Sequence, residues 1–271
     1  MAKNAAKNAA KPRRTGLPGK GDAGAVLRAQ LEQRLEECAR LIEAGVTIID
    51  PATTYLETGV KVGPGTVIYP NTTVSGRTSI GRDCRIGPNS VILDSRIGDG
   101  AQVLASVLEG AVLEDNVDIG PFSHLRPGAH LESGVHIGNF VEVKAARLGA
   151  GTKAGHFSYI GDARVGANVN IGAGAVTCNF DGRQKNKTVI GDNAFIGSDT
   201  MLVAPVSVGR GATTAAGSVV TRDVPEDTLV AGAPARRAPR VVTGGAPKRP
   251  ATARPAGRRQ PPGSTKKRSD G

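Results

Sequence analysis

The chain has 271 residues, enough for one large domain or two small ones. Aromatic residues make up only 3% of it, Trp is absent and Gly numbers 37, a composition that argues against a packed α/β core and for a thin, repetitive interior. The formal charge of +11 would suggest a nucleic-acid binder, but residues 1–20 hold six Lys or Arg and no acid, and residues 236–271 hold eleven against one acid, so the positive charge belongs to the ends.

In chain order, residues 1–23 read as a basic tail rich in Ala, Lys and Pro that buries too little apolar surface to order itself. Such a tail can make weak contacts with anionic surfaces through counterion release. Residues 24–45 come next as a helix leading into the main body of the chain. Leu27, Leu31, Leu35 and Leu41, with Val26 and Ile42, form its apolar stripe, and Gly45 is placed to end it. The stripe is expected to pack on that body, and the Glu-rich face to meet solvent. No apolar run approaches the ~20 residues of a membrane span, and the first residues lack an apolar signal core. Cys38, Cys84 and Cys178 stand far apart without metal-site or disulfide spacing, which suggests free thiols, a reducing compartment and a cytoplasmic address.

From about Val62 an aliphatic residue returns every six positions, as in LESGVH, often with Gly directly after it, as in VGPGTV, IGRDCR, IGPNSV, LGAGTK and IGDNAF. Steps of five, as from Ile160 to Val165, interrupt the count without ending it. A period of six fits neither a helix nor a simple two-faced strand. It fits a short strand plus a tight corner, stacked so that equivalent aliphatic residues fill a solenoid. Gly, Asn and Asp suit corners that need positive φ. Residues 46–235 are therefore expected to form an all-β parallel β-helix, and residues 236–271 a second basic tail.

Chemistry is expected where the repeat is interrupted or carries unexpected polar residues. PFSHLRPGAH, GNFVEVK and KAGHFSYIGDA lie within residues 121–163, and NVNIGAGAVTCNFDGRQKNK, at residues 168–187, inserts several residues between coils. The repeat resembles the hexapeptide-repeat family, which implies a left-handed, three-sided helix and a homotrimer. The motif set, with IGSDT, closely resembles the acetyltransferase half of the bifunctional bacterial family of N-acetylglucosamine-1-phosphate uridyltransferase/glucosamine-1-phosphate N-acetyltransferases, from about Gly45 to Asp223. That resemblance implies acetyl-CoA as donor, glucosamine-1-phosphate as acceptor, no metal in the transfer, and a place in UDP-N-acetylglucosamine and cell-wall synthesis.

By the same resemblance His156 is the general base, with Glu142 orienting its imidazole. Histidine also suits this task on its own terms, since an amine attacking a thioester must shed a proton near neutral pH. Arg126 and Lys144 match sugar-phosphate ligands, Tyr159 and Asn170 match positions that hydrogen-bond the sugar, and Lys185 matches a residue reaching the phosphate from a neighbouring subunit. Ala173, Asn179, Phe180, Ser198 and Ala216 match acetyl-CoA contacts, with Asn179 and Ser198 suited to hold the thioester carbonyl.

The pattern departs from the family in three places. No Gly-rich nucleotide loop or acidic Mg²⁺ pair precedes the helix, so UTP chemistry is not expected. Phe180 stands where the family usually has Tyr, and Ala233 falls where it has an Arg, leaving Arg236 or Arg237 as substitutes. His124, His130 and His136 recur at the period of six and would stack up one face, which invites a zinc reading; surface histidines are preferred. Two alternatives remain: transfer to another amino sugar or a nucleotide sugar, and a non-catalytic β-helix scaffold.

Overall fold

The computed structural model describes residues 23–239. The expectations for the basic ends, including their anionic contacts, fall almost wholly outside the described residues. Residues 236–237 are an exception: they form a short strand, Arg236–Arg237, antiparallel to Leu229–Ala231, where composition had placed a tail.

The fold is a left-handed parallel β-helix of hexapeptide repeats with one helix at its N-terminal end. Its short strands fall into three sheets of 12, 10 and 9 strands. We call these face A (beginning at Thr47–Ile48), face B (beginning at Tyr55–Leu56) and face C (beginning at Lys61–Val62). The chain visits A, B and C in turn, so three hexapeptides complete one coil and each strand pairs with its equivalent one coil on. The interior is a direct consequence. Within a strand the aliphatic residue points in and its neighbour out, and Ile68, Ile86, Val103, Ile119 and Ile137 stack in register on face A. Each is at most 1% exposed. Corner hydroxyls serve the backbone; Thr66 Oγ1, for example, donates to the Gly81 carbonyl at 2.9 Å.

Helix α1 (Ala23–Glu43) ends as its sequence predicts. Gly45 has φ of 89°, its N–H donates to Ile42 O at 3.0 Å, and Val46 N–H donates to Leu41 O at 3.0 Å, the paired bonds of a Schellman cap. The expected stripe does not pack as a whole. Cys38 and Leu41 are buried, but Leu27, Leu31, Leu35 and Ile42 are exposed. The physical reason is the shape of the support: a solenoid offers a helix only its end coil, and that coil covers only the last turns.

The histidine ladder is also corrected. His124, His130 and His136 begin strands on faces B, C and A respectively, because a six-residue step advances the chain by one face and not by one coil. Each imidazole instead meets a carboxylate of the preceding coil: Glu109, Glu114 and Asp118, all at 2.9 Å. Among the described residues no group of three His, Cys, Asp or Glu could hold a metal ion.

Candidate active site

Two groups of side chains assemble around face B. The first is a column on the corner between faces A and B. Asn139 and His156 are register partners. Ala154, Ile171, Ile196 and Thr214 continue that register down face A, so Ala173, Ser198 and Ala216, each two residues further on, fall below His156 on successive coils. The corner bonds agree: Asp199 N–H donates to Ala173 O at 2.7 Å and Gly217 N–H to Ser198 O at 2.8 Å. The corner must be narrow to stack this way. A Cβ on Gly172 would lie 2.5 Å from Ser198 N, and one on Gly197 2.7 Å from Ala216 N. Four residues widely separated in sequence thus line one ridge, with ~4.8 Å between coils.

The exposed groups on this ridge are donors. No described residue accepts from the backbone N–H of Ala173, Ser198 or Ala216, whereas the carbonyls of Ala173 and Ser198 are taken by the next coil. The Ser198 hydroxyl is likewise without a described partner, and the residue is exposed. The imidazole of His156 is exposed and makes no hydrogen bond to any described residue. It therefore has both ring nitrogens available.

The second group spreads over the outer surface of face B. Glu142 pairs in register with Tyr159, and Lys144 with Gly161. Arg126 stacks on the same ladder through its N–H to Val143 O at 2.8 Å. Its guanidinium donates to Glu142 Oε1 at 2.8 Å, and that carboxylate raises the pKa of Arg126. Glu142 is therefore engaged by Arg126, and no hydrogen bond joins it to His156.

The insertion folds as a tight hairpin at the end of face B. Phe180 bridges Lys185, Gly182 takes φ of 92°, and Asn186 N–H donates to Asn179 O at 2.7 Å. Asp181 holds the turn, accepting from Arg183 N–H and Gln184 N–H at 2.8 Å and from Asn186 Nδ2 at 2.9 Å. The Gln184 backbone, the Asn186 amide and the Arg183 backbone together keep the Asp181 carboxyl below the ordinary range. Within the chain, the hairpin brings Lys185 beside Lys144. The nearby Lys185 ammonium lowers the pKa of Lys144. Two ammonium groups side by side, with Arg126 on the same ladder, are a chemistry that can attract an anion.

Asn179 is 7% exposed and sits at the centre of this group. Its Nδ2 donates to Asp162 Oδ2 at 2.5 Å and to Tyr159 Oη at 3.2 Å. Both amide hydrogens are thus spent within the protein, so the side chain has no donor left for a thioester carbonyl. Tyr159, already an acceptor, retains its own O–H. Asp162 went unassigned in the sequence, although the five-residue step in YIGDA marked its position. Of the remaining predicted residues, Phe180 is exposed at the hairpin. Asn170 lies on face A between Lys153 and Phe195, and the single chain does not bring it to the face B group. Arg237 donates to Thr228 Oγ1 at 3.4 Å, and Arg236 to the Ala235 carbonyl at 2.9 Å.

Comparison with known proteins agrees with this picture of the repeats. Residues 59–94 and 187–222 match the family model "Bacterial transferase hexapeptide (six repeats)". Residues 77–121 match "Hexapeptide repeat of succinyl-transferase". The chain is 52% identical over 199 residues to the bifunctional protein GlmU of Thermotoga petrophila, covering 73% of this chain and 45% of that protein. It is 49% identical over 215 residues to GlmU of Geotalea uraniireducens, covering 79% and 46% respectively. With GlmU of Carboxydothermus hydrogenoformans it shares 54% over 189 residues, covering 70% and 42%. The chain thus matches less than half the length of these relatives.

Proposed function

We propose, from the premise that this chain is a homologue of the GlmU proteins over its hexapeptide repeats, that it is an acetyltransferase moving the acetyl group of acetyl-CoA onto the amine of glucosamine-1-phosphate. The observation that carries the reading is a pair of differently built surfaces flanking face B: a ridge of free donors headed by an unpartnered histidine along its corner with face A, and a cationic patch toward its corner with face C. The ridge suits an extended ligand with regularly spaced carbonyls, such as the pantetheine arm of CoA, received as a strand is received by a sheet edge. The patch suits a phosphate, with Lys144, Lys185 and Arg126 as its cations.

The placement of these groups sets the chemistry. Lys144, Lys185 and Arg126 anchor the phosphate, and the free O–H of Tyr159 donates to the sugar. The acceptor amine lies near His156 and close to the thioester, which supplies proximity. As nitrogen attacks the thioester carbonyl carbon, an N–C bond forms and His156 takes the proton that nitrogen loses. The negative charge on the carbonyl oxygen meets Ser198, whose N–H and hydroxyl are both open. The C–S bond then breaks, and the departing thiolate takes the proton from His156. One amide and one free CoA thiol result. No step uses a metal. Asn170 on face A and the trimer implied by the family have one natural connection: in an assembly, face A of one copy can complete the face B site of the next. The free Cys38, Cys84 and Cys178 fit a reducing cytoplasm.

The test is thiol release by the purified chain given acetyl-CoA and glucosamine-1-phosphate, with His156→Ala alongside. Release that depends on both substrates and collapses in the variant is expected. A folded protein that binds acetyl-CoA but leaves this acceptor untouched would redirect the assignment to another amino sugar or a nucleotide sugar. One that binds neither would support the scaffold alternative.

A further inference from the structure

The corner between faces A and B changes character at His156. On the coils below, it offers the N–H groups of Ala173, Ser198 and Ala216, from which no described residue accepts. On the coils above, past Asn139, the register partner of His156, that supply ends. Pro121, one coil further, has no N–H, and the N–H of Leu104, on the coil before that, is taken by Ile119 O at 2.9 Å. What the corner presents there is carbon. Leu104 is 43% exposed, Phe122 60%, and Phe140 and Phe157 63% each. Phe157 directly follows His156, and Phe140 and Phe122 hold the same corner position on the two coils above.

Two features set these rings apart from scattered surface aromatics. Phe122, Phe140 and Phe157 have φ of 63°, 56° and 24°, a region where a bulky side chain is a genuine outlier. Earlier coils fill the same position with Asn71, Asn89 and Ala105, so the corner itself does not require a ring. Backbone strain of this kind clusters where a ligand is held. The rings of Phe122 and Phe140 also stack, 5.4 Å between centroids and 20° apart, which makes an apolar strip that runs from coil to coil.

The switch from donors to carbon at His156 matches one kind of molecule. A CoA thioester carries an amide-bearing arm on one side of its reacting carbonyl and a hydrocarbon on the other. With the arm along Ala173, Ser198 and Ala216 and the carbonyl at His156, the acyl group continues the line onto the phenylalanines. We propose that this strip receives the acyl chain of the donor, so that the protein transfers medium-length acyl groups as well as acetyl. The proposal rests on the reading of the ridge as a CoA site. Coils are ~4.8 Å apart, so Phe140 lies one step and Phe122 two steps beyond the histidine. Each methylene of an extended chain adds about 1.3 Å. An acetyl methyl therefore ends within the His156 coil, whereas the further carbons of an octanoyl chain reach the ring of Phe122. The bonds made and broken are those of acetyl transfer. The amine nitrogen bonds to the acyl carbon, the C–S bond breaks, and the proton lost by nitrogen passes through His156 to the departing thiolate.

The test compares acetyl-CoA with octanoyl-CoA on the full chain, by titration calorimetry and by thiol release in the presence of glucosamine-1-phosphate. Octanoyl-CoA is expected to bind at least about tenfold more tightly, since each methylene withdrawn from water strengthens binding by up to about fourfold. Its octanoyl group is expected to appear as an amide on the sugar, detected by mass. The variant is Phe122→Asn, because asparagine adopts this corner conformation readily, as at Asn71 and Asn89. It should keep the wild-type melting temperature and lose at least about threefold of the octanoyl advantage. Acetyl-CoA affinity and turnover should stay within about twofold, because Phe122 stands two coils from the reacting carbon.

Octanoyl-CoA bound no more tightly than acetyl-CoA would overturn the proposal, as would an advantage that survives Phe122→Asn. So would a strip covered by a second copy of the chain, seen as a smaller assembly of Phe122→Asn in sedimentation together with no gain from octanoyl. A protein that turns over acetyl-CoA but gains nothing from the longer chain removes this proposal alone. One that binds neither thioester removes the CoA reading and the proposal with it.

Discussion

The first coils of the solenoid and those after His124 are built on the same interior but show different surfaces. In the first coils face B presents Tyr55, Thr73, Val91 and Val107 outward; in the later ones it presents His124, Glu142 and Tyr159 in the same ladder. The corner between faces A and B changes as well. Its positive-φ position is held by Asn71, Asn89 and Ala105 in the early coils, then by Phe122, Phe140 and Phe157, and by Gly174, Asp199 and Gly217 beyond. Asparagine visits this conformation readily, whereas a bulky residue is strained there by roughly 1–2 kcal/mol. The three phenylalanines are nonetheless about 60% exposed, and Phe122 and Phe140 stack at 5.4 Å between centroids. The comparison teaches that the inward residue of each strand maintains the fold while the outward residue and the corner are free to vary, and that the chemistry is confined to where they vary.

The largest test of that division sets His156→Ala against Leu125→Ala. Removing an exposed base should lower kcat by ~10²–10⁴-fold, with a melting temperature near wild type, because His156 has no described partner to lose. Leu125 is 0% exposed, so its truncation should cost ~2–5 kcal/mol of stability through lost burial and the cavity left behind. Chemical denaturation and initial rates on both proteins would separate the roles. A His156→Ala protein that unfolds early would break the comparison.

Lys185→Ala probes the hairpin that distinguishes the later coils. A phosphate binds the ammonium form of Lys144, so affinity is lost as pH rises through the Lys144 pKa, which the neighbouring Lys185 ammonium lowers. Removing Lys185 is expected to weaken acceptor binding by about tenfold, the order of one charge-assisted contact. It should also move the alkaline loss of binding to higher pH, because the depressing neighbour is gone. A profile of acceptor KM against pH checks both signs, and an alkaline limb that stays in place would detach Lys185 from Lys144.

The smallest effect is expected from Asp181→Ala. It removes the acceptor of three hydrogen bonds within the turn. The carboxyl is fully exposed and the turn borders solvent, so global stability should barely move. Limited proteolysis should instead cut the hairpin faster, and acceptor KM should rise with the loss of a fixed Lys185.

Much of the fold was legible because one rule repeats. The six-residue return of aliphatic residues led to the parallel solenoid, and Gly45 marked the end of the helix. The stripe Leu27, Leu31 and Leu35 was legible as amphipathic but not as exposed, since periodicity says which residues share a face and not whether a partner covers it. Among the site residues, the resemblance supplied the names, while their mutual contacts depend on coil register. Asp162 was missed because its signal, a five-residue step, is shared with ordinary irregularities of the repeat.

By itself the sequence determined the solenoid, its helical cap and the stretches where its rule breaks, because these depend on patterns within a few residues. Only the tertiary structure decided which broken positions meet. Residues adjacent in space are a whole coil apart in the chain, and short steps or insertions shift the phase of everything after them. For that reason three evenly spaced histidines part onto three faces, while His156, Ala173, Ser198 and Ala216, unevenly spaced, fall into one column. For the same reason Lys185 comes to rest beside Lys144, and both hydrogens of the Asn179 amide are spent inside the protein.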